Sequence, residues 1–142
     1  MIEPVKLEYK IRGSDFINAG EASSGTKKAL NRLGVSPAAV KRAAIAMYEA
    51  EINAVIHADG GAAEVFIYSD HVIIRIIDQG PGIPDVSLAM QEGWSTAPDI
   101  AREMGFGAGM GLPNIKKHSD DMSIETEIGK GTTVTITVRF ST

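Results

Sequence analysis

The stretch VIIRIIDQGPGIPD, residues 72–85, decides how this chain is read. Its first part, Val72 to Ile77, is β-branched apart from Arg75, the composition of a buried strand. That strand ends on a carboxylate, Asp78, and Gly80, Pro81, Gly82 and Pro84 follow at once. The glycines allow turns that other residues resist and let a flat ring approach the backbone. The prolines stiffen the route. An Asp that simply initiates a turn explains the pattern. So does an acid placed to accept a hydrogen bond from a ligand amine, for instance the N6 amino group of adenine. Taken alone, the stretch leaves both open.

On its N-terminal side, residues 5–11 alternate Val5, Leu7, Tyr9 and Ile11 with Lys6, Glu8 and Lys10, the pattern of a half-buried strand. A helix is expected from a cap at Ser14 or Asp15 to about Leu33, where Gly34 stops it. Ser36-Pro37 caps and opens a second, longer helix to about Ala58. Strands are expected near 63–69 and 71–78, joined by a turn at Ser69-Asp70-His71. On the C-terminal side a short helix is expected near Ser87 to Gln91. Residues 92–108 show no clear period, and so long a loop in a small chain is often a lid. A helix from about Gly109 to His118 and strands near 121–127 and 132–140 complete the order. Clustered strands and helices of this kind predict an α+β, two-layer sandwich: an antiparallel or mixed sheet with its helices on one face. The lack of strict alternation argues against a Rossmann fold.

The length, 142 residues, fits a single domain, and a domain of this size buries roughly 68–70% of its unfolded surface. There are no cysteines, which excludes disulfides, thiolate zinc sites and a thiol nucleophile. A formal net charge of −4 argues against a nucleic-acid partner. The longest apolar run is too short for a membrane partner, and MIEPVKLEYK does not resemble a signal peptide. The expected compartment is the cytoplasm.

Three further constellations carry chemistry. In IAMYEAEINAVIHA, residues 45–58, Glu49 and Asn53 stand i, i+4 on a mostly apolar helix, about 40° apart around its axis. They read either as a solvated stripe or as a general base beside a neutral oxygen ligand for a hard cation such as Mg²⁺. Glu51 falls on another face and is expected to be solvated, and His57 is expected to hydrogen-bond at the helix end. In GFGAGMGLPNIKK, residues 105–117, four glycines run into a helix, so bare amides and a helix N-terminus form an anion site. It is not a Walker A loop. The last piece, GKGTTVTI, residues 129–136, reads alone as a hairpin turn.

In this order the four pieces resemble the Bergerat-fold ATPase superfamily, of gyrase, Hsp90, histidine kinase and MutL type. Residues 49–53 look like its N box, 78–82 like its first glycine box, 105–111 like the second and 129–132 like the third. Within these 142 residues neither the dimerisation helices and phosphoacceptor histidine of a sensor kinase nor the transducer domain of gyrase or MutL is expected. Its NAVIHA, DQGPGIPD, EGWST and GAGMGLPNIKK segments look like the bacterial anti-sigma-factor serine/threonine kinases, nearest the stressosome-type switch kinases. Its stretch from Ser95 to Gly105 is longer than theirs.

The resemblance implies ATP or ADP and Mg²⁺ as cofactors. Glu49 would be the catalytic base and Asn53 the metal ligand. Asp78 would read adenine, with Gly80, Gly82 and Ile83 lining the base. Gly105, Gly107, Ala108, Gly109, Met110, Gly111 and Leu112 would enclose the triphosphate. Arg102 would reach the γ-phosphate, and Thr132 or Thr133 would complete the adenine side. The implied acceptor is a STAS-type antagonist protein in a partner-switching module. An alternative is an ATP- or ADP-binding regulator that docks on a sigma factor, a phosphatase or another enzyme without turnover. Dimerisation is typical of such relatives, so a homodimer through the first strand and helix is an expectation.

Overall fold

The computed structural model describes residues 4–13, 18–57, 60–80 and 111–141, with only the backbone of His57. The elements are β1 (Val5–Arg12), α1 (Glu21–Arg32), α2 (Pro37–His57), β2 (Gly60–Ile67), β3 (His71–Asp78), α3 (Gly111–His118), β4 (Asp121–Glu127) and β5 (Gly131–Arg139). The expected helix at 87–91 and the lid at 92–108 lie outside the described residues. The five strands form a single sheet in the order β1-β2-β3-β5-β4. All four pairings are antiparallel. Among the described residues the sheet is antiparallel throughout, one of the two arrangements expected.

Strand alternation sorts the two faces of the sheet. Val65, Ile67, Val72, Ile74, Ile76, Val134, Ile136 and Val138 are buried, while their neighbours along each strand are partly buried or, at Arg139, exposed. Helix α2, about 32 Å long, packs on β1, β2, β3 and β5. Its buried Ala43, Ala46, Ala50 and Ala54 bring its backbone close to the sheet, and Met47 and Val55 fill the remaining space. On the far face Arg75 pairs with Glu64 at 3.2 Å across β2 and β3, a half-exposed contact of small energetic weight.

Helix boundaries show where local signals were overridden. Asn18 to Gly20 form a bend and turn, so α1 starts at Glu21 and not at Ser14 or Asp15. Its N-cap, Gly20, sits at φ 101° and offers no side-chain cap. At the other end Gly34 stops the helix as expected: at φ 78° it turns the chain, and the Val35 N–H donates to the Leu30 carbonyl at 3.1 Å. Ser36 opens α2, with its carbonyl accepting from the Val40 N–H at 3.0 Å. Its hydroxyl does not cap the helix but donates to the Phe140 carbonyl at 3.2 Å.

Candidate functional site

Three elements assemble the candidate site. The first is the end of β3. Asp78 pairs with Gly61 of β2 on one side and Thr132 of β5 on the other. Its Oδ1 accepts the Gly80 N–H at 3.0 Å and the Thr132 N–H at 3.0 Å. The first bond is the Asp-initiated turn that the sequence allowed. The second reaches across to the next strand, so both amides hold the same oxygen and fix the plane of the carboxylate. Oδ2 accepts no hydrogen bond among the described residues. Glycine is required on both flanks. A Cβ on Gly131, which sits at φ 131°, would collide with the Asp78 carbonyl oxygen. One on Gly61 would collide with the Ile77 carbonyl oxygen and lie 2.9 Å from the Asp78 Cα.

Thr132 is buried, and its Oγ1 shares a 2.9 Å hydrogen bond with Thr126 Oγ1. Thr133 alternates to the opposite face of the sheet, so Thr132 is the threonine next to Asp78. The second element is the C-terminal half of α2. Glu49 and Asn53 are both half-buried on it. The helix ends at His57 and β2 begins at Gly60, so Asn53 lies about 6 Å of helix rise from the end that leads to Gly61 and Asp78.

The third element is α3. Leu112 and Ile115 bury themselves in the core, while Lys116 and Lys117 are exposed. Leu112, expected at the phosphates, is therefore part of the core. Asn114 and His118, one turn apart, lie on the flank that meets α2. Both stand near enough to Glu49 to favour its charged form. The His118 Nδ1–H donates to the Asn114 carbonyl at 2.9 Å. Burial pushes the Glu49 carboxyl above its ordinary range, opposed by the nearby Asn114 carboxamide and by His118. A carboxylate raised in this way is a better proton acceptor. Neither Asn114 nor His118 is among the site residues expected from the sequence; their i, i+4 spacing directly after the glycine run is the signal that points to them.

Gly82, Ile83, Arg102, Gly105, Gly107, Ala108, Gly109 and Met110 lie outside the described residues, and Gly111 is the first residue of α3. The His57 side chain is not among those described. The expectation for Glu51 is overturned. It is 3% exposed, and its carboxylate accepts the N–H groups of Gly20 at 2.9 Å, Ala22 at 3.2 Å and Ser23 at 3.0 Å. Those are the donors that α1 leaves free at its start. Glu51 caps α1 from a different helix, which is why Gly20 needs no capping side chain of its own.

Among the described residues no helix is long and apolar enough to cross a membrane, and no cluster of three metal-ligating side chains occurs. A single neutral oxygen such as that of Asn53 still suits Mg²⁺, which takes one or two protein ligands when phosphates supply the others.

Comparison with known proteins fits this geometry. The chain is 35% identical over 99 residues to an anti-sigma F factor of Bacillus licheniformis, covering 66% of this chain and 64% of that protein. It is 30% identical over 102 residues to the anti-sigma F factor of Clostridium acetobutylicum, covering 68% of each. It is 40% identical over 57 residues to the serine/threonine-protein kinase RsbT of Bacillus subtilis, covering 40% of this chain and 37% of that one. The match thus spans just under two thirds of the Bacillus licheniformis protein. A solved structure with RsbU and RsbW domains from Mycobacterium tuberculosis shares the fold, with a TM-score of 0.58 at 18% identity over 94% of this chain and 32% of that one. Residues 39–142 match the model of the histidine kinase-, DNA gyrase B- and HSP90-like ATPases, and the chain belongs to that family.

Proposed function

We propose that the protein is an ATP-dependent serine/threonine kinase of a bacterial partner-switching module, acting in the cytoplasm on a STAS-type antagonist of a sigma-factor regulator. The observation that carries the reading is the environment of Glu49. It is a half-buried carboxylate with a raised proton affinity, one helical turn from Asn53, on the helix that runs toward Asp78. A protein that only bound nucleotide would not need a base there.

In this reading Asp78 uses the oxygen that holds no bond among the described residues to accept from the adenine amine, while Gly80 and Gly82 leave room for the ring and Thr132 steadies the carboxylate. The glycine run from Gly105 to Gly111 supplies amides for the phosphates, and Arg102 adds charge at the γ-phosphate. Asn53 holds Mg²⁺, which neutralises phosphate charge when bound. Glu49 orients the acceptor hydroxyl and takes its proton. Phosphoryl transfer depends chiefly on such positioning and charge neutralisation. The added charge of roughly −1.5 to −2 on the acceptor then weakens its complex.

The test is Glu49→Ala, with transfer from Mg·ATP to a purified STAS-domain protein measured beside nucleotide affinity. The reading expects transfer to fall by about 10²–10⁴ with ATP binding retained; equal transfer by wild type and variant would sink it. Asp78→Asn removes the acceptor and is expected to weaken adenine-nucleotide binding by about tenfold or more. Equal affinities of wild type and Asp78→Asn would refute the adenine assignment.

A further inference from the structure

Asp78, Thr132 and Thr126 stand side by side across β3, β5 and β4, on the face of the sheet that the helices cover. We infer that Thr126 is a positioning residue for nucleobase recognition: it takes the Thr132 hydroxyl proton, so that Thr132 and Asp78 together meet a bound base as hydrogen-bond acceptors. The site then takes a purine with an amine at C6 and rejects one with a carbonyl there. This inference rests on the adenine assignment of Asp78 above.

Strand register builds the row. Asp78 pairs with Thr132, and Thr132 pairs with Thr126. Alternation puts them on one face: Asp78 follows the buried Ile74 and Ile76, Thr132 precedes the buried Val134 and Ile136, and Thr126 follows Met122 and Ile124, which pack against the core. The β4–β5 hairpin holds that register. Gly129 turns the chain at φ 82°, the Lys130 N–H donates to the Glu127 carbonyl at 3.0 Å, and Lys130 Nζ lies 3.2 Å from Glu127 Oε1.

Proton counting gives the direction of the hydroxyl contact. Each threonine has a single hydroxyl proton and two lone pairs. Thr126 Oγ1–H donates to the Gly131 carbonyl at 3.4 Å. In the 2.9 Å contact between the two hydroxyls, Thr126 is therefore the acceptor and Thr132 the donor. Burial favours the same direction. Thr132 is 6% exposed, where a hydroxyl proton without a partner is costly, whereas Thr126 is half-buried. With its proton spent, Thr132 offers a ligand lone pairs only. Beside it, Asp78 Oδ1 accepts the Gly80 and Thr132 N–H groups, and an ionised carboxylate has only lone pairs to offer. An amine brings two protons to such a pair of acceptors. A carbonyl brings further lone pairs and leaves both acceptors unmatched.

The test is equilibrium binding of ADP and of IDP, which carry an amine and a carbonyl at C6 of the base, to the full chain with Mg²⁺, beside a thermal melt. Wild type is expected to prefer ADP. T126V removes the acceptor and frees the Thr132 proton, so the ADP-to-IDP affinity ratio should fall about tenfold. Its melting temperature should stay close to wild type, because valine suits a strand at the sheet edge. T126S keeps the hydroxyl and should keep the ratio. In a T132V background, T126V should change the ratio no further, since Thr126 acts through Thr132. A wild-type ratio in T126V overturns the inference, as does an equal loss in T126S or a full further loss in the T132V background. A wild type that binds ADP and IDP alike overturns the adenine assignment and this inference together, and is recognised before any substitution is made.

Discussion

On one face of α2, Glu51 is almost fully buried and its carboxylate accepts three backbone N–H groups at the start of α1. About 200° around the same helix, Glu49 is half-buried against α3, with a side-chain amide and an imidazole as its neighbours. Residue type and helix are the same, and the two sites lie two positions apart. Glu51 has its acceptor capacity taken up by the fold. Glu49 accepts no backbone N–H among the described residues, and burial makes its carboxyl hold a proton more readily. The neighbours that each face presents separate a structural carboxylate from the one proposed to act as the base.

The largest effect that would break this contrast is on the rate. Glu49→Ala should remove about 10²–10⁴ of the phosphoryl-transfer rate with the unfolding midpoint nearly unchanged, measured by transfer kinetics beside a thermal melt. Next is stability. Glu51→Ala leaves three amide donors in a buried place and should cost about 2–4 kcal/mol in urea unfolding. Loss of less than about 0.5 kcal/mol would show that water takes over the capping role.

The smallest effect concerns pH. The Glu49 carboxyl is raised by burial, so the folded chain binds its proton more tightly than the unfolded chain does. Its contribution to stability is present below the unfolded carboxyl pKa and is lost as pH rises through the raised folded value. At neutral pH the charged form therefore carries a small penalty. Glu49→Gln should be slightly more stable than wild type at neutral pH and lose that advantage in acid, by urea unfolding across a pH series. The corresponding Glu51→Gln change should be destabilising at neutral pH.

Much of the architecture was legible because periodicity is a local property. The alternation in β1 and β3, Pro37 at the start of α2 and Gly34 at the end of α1 each act through a few neighbouring residues. Glu51 was not legible for the opposite reason. Its partners lie 28 to 31 residues away in sequence, and capping rules look only a few residues along the chain. The same limit applies to Asp78. The turn to Gly80 follows from the sequence, whereas the bond to Thr132 spans 54 residues and needs the sheet. Gly61 and Gly131 are a related case. Each reads as a plain turn or strand-end glycine until the register sets it against the Ile77–Asp78 backbone.

The most direct measurement compares Glu49→Gln and Glu51→Gln in one experiment: transfer rate per folded molecule, and free energy of unfolding, for both proteins at neutral pH. The account predicts that Glu49→Gln loses transfer without losing stability, and that Glu51→Gln loses stability while its folded fraction transfers at close to the wild-type rate. Full transfer by Glu49→Gln, together with a stable but inactive Glu51→Gln, would contradict it.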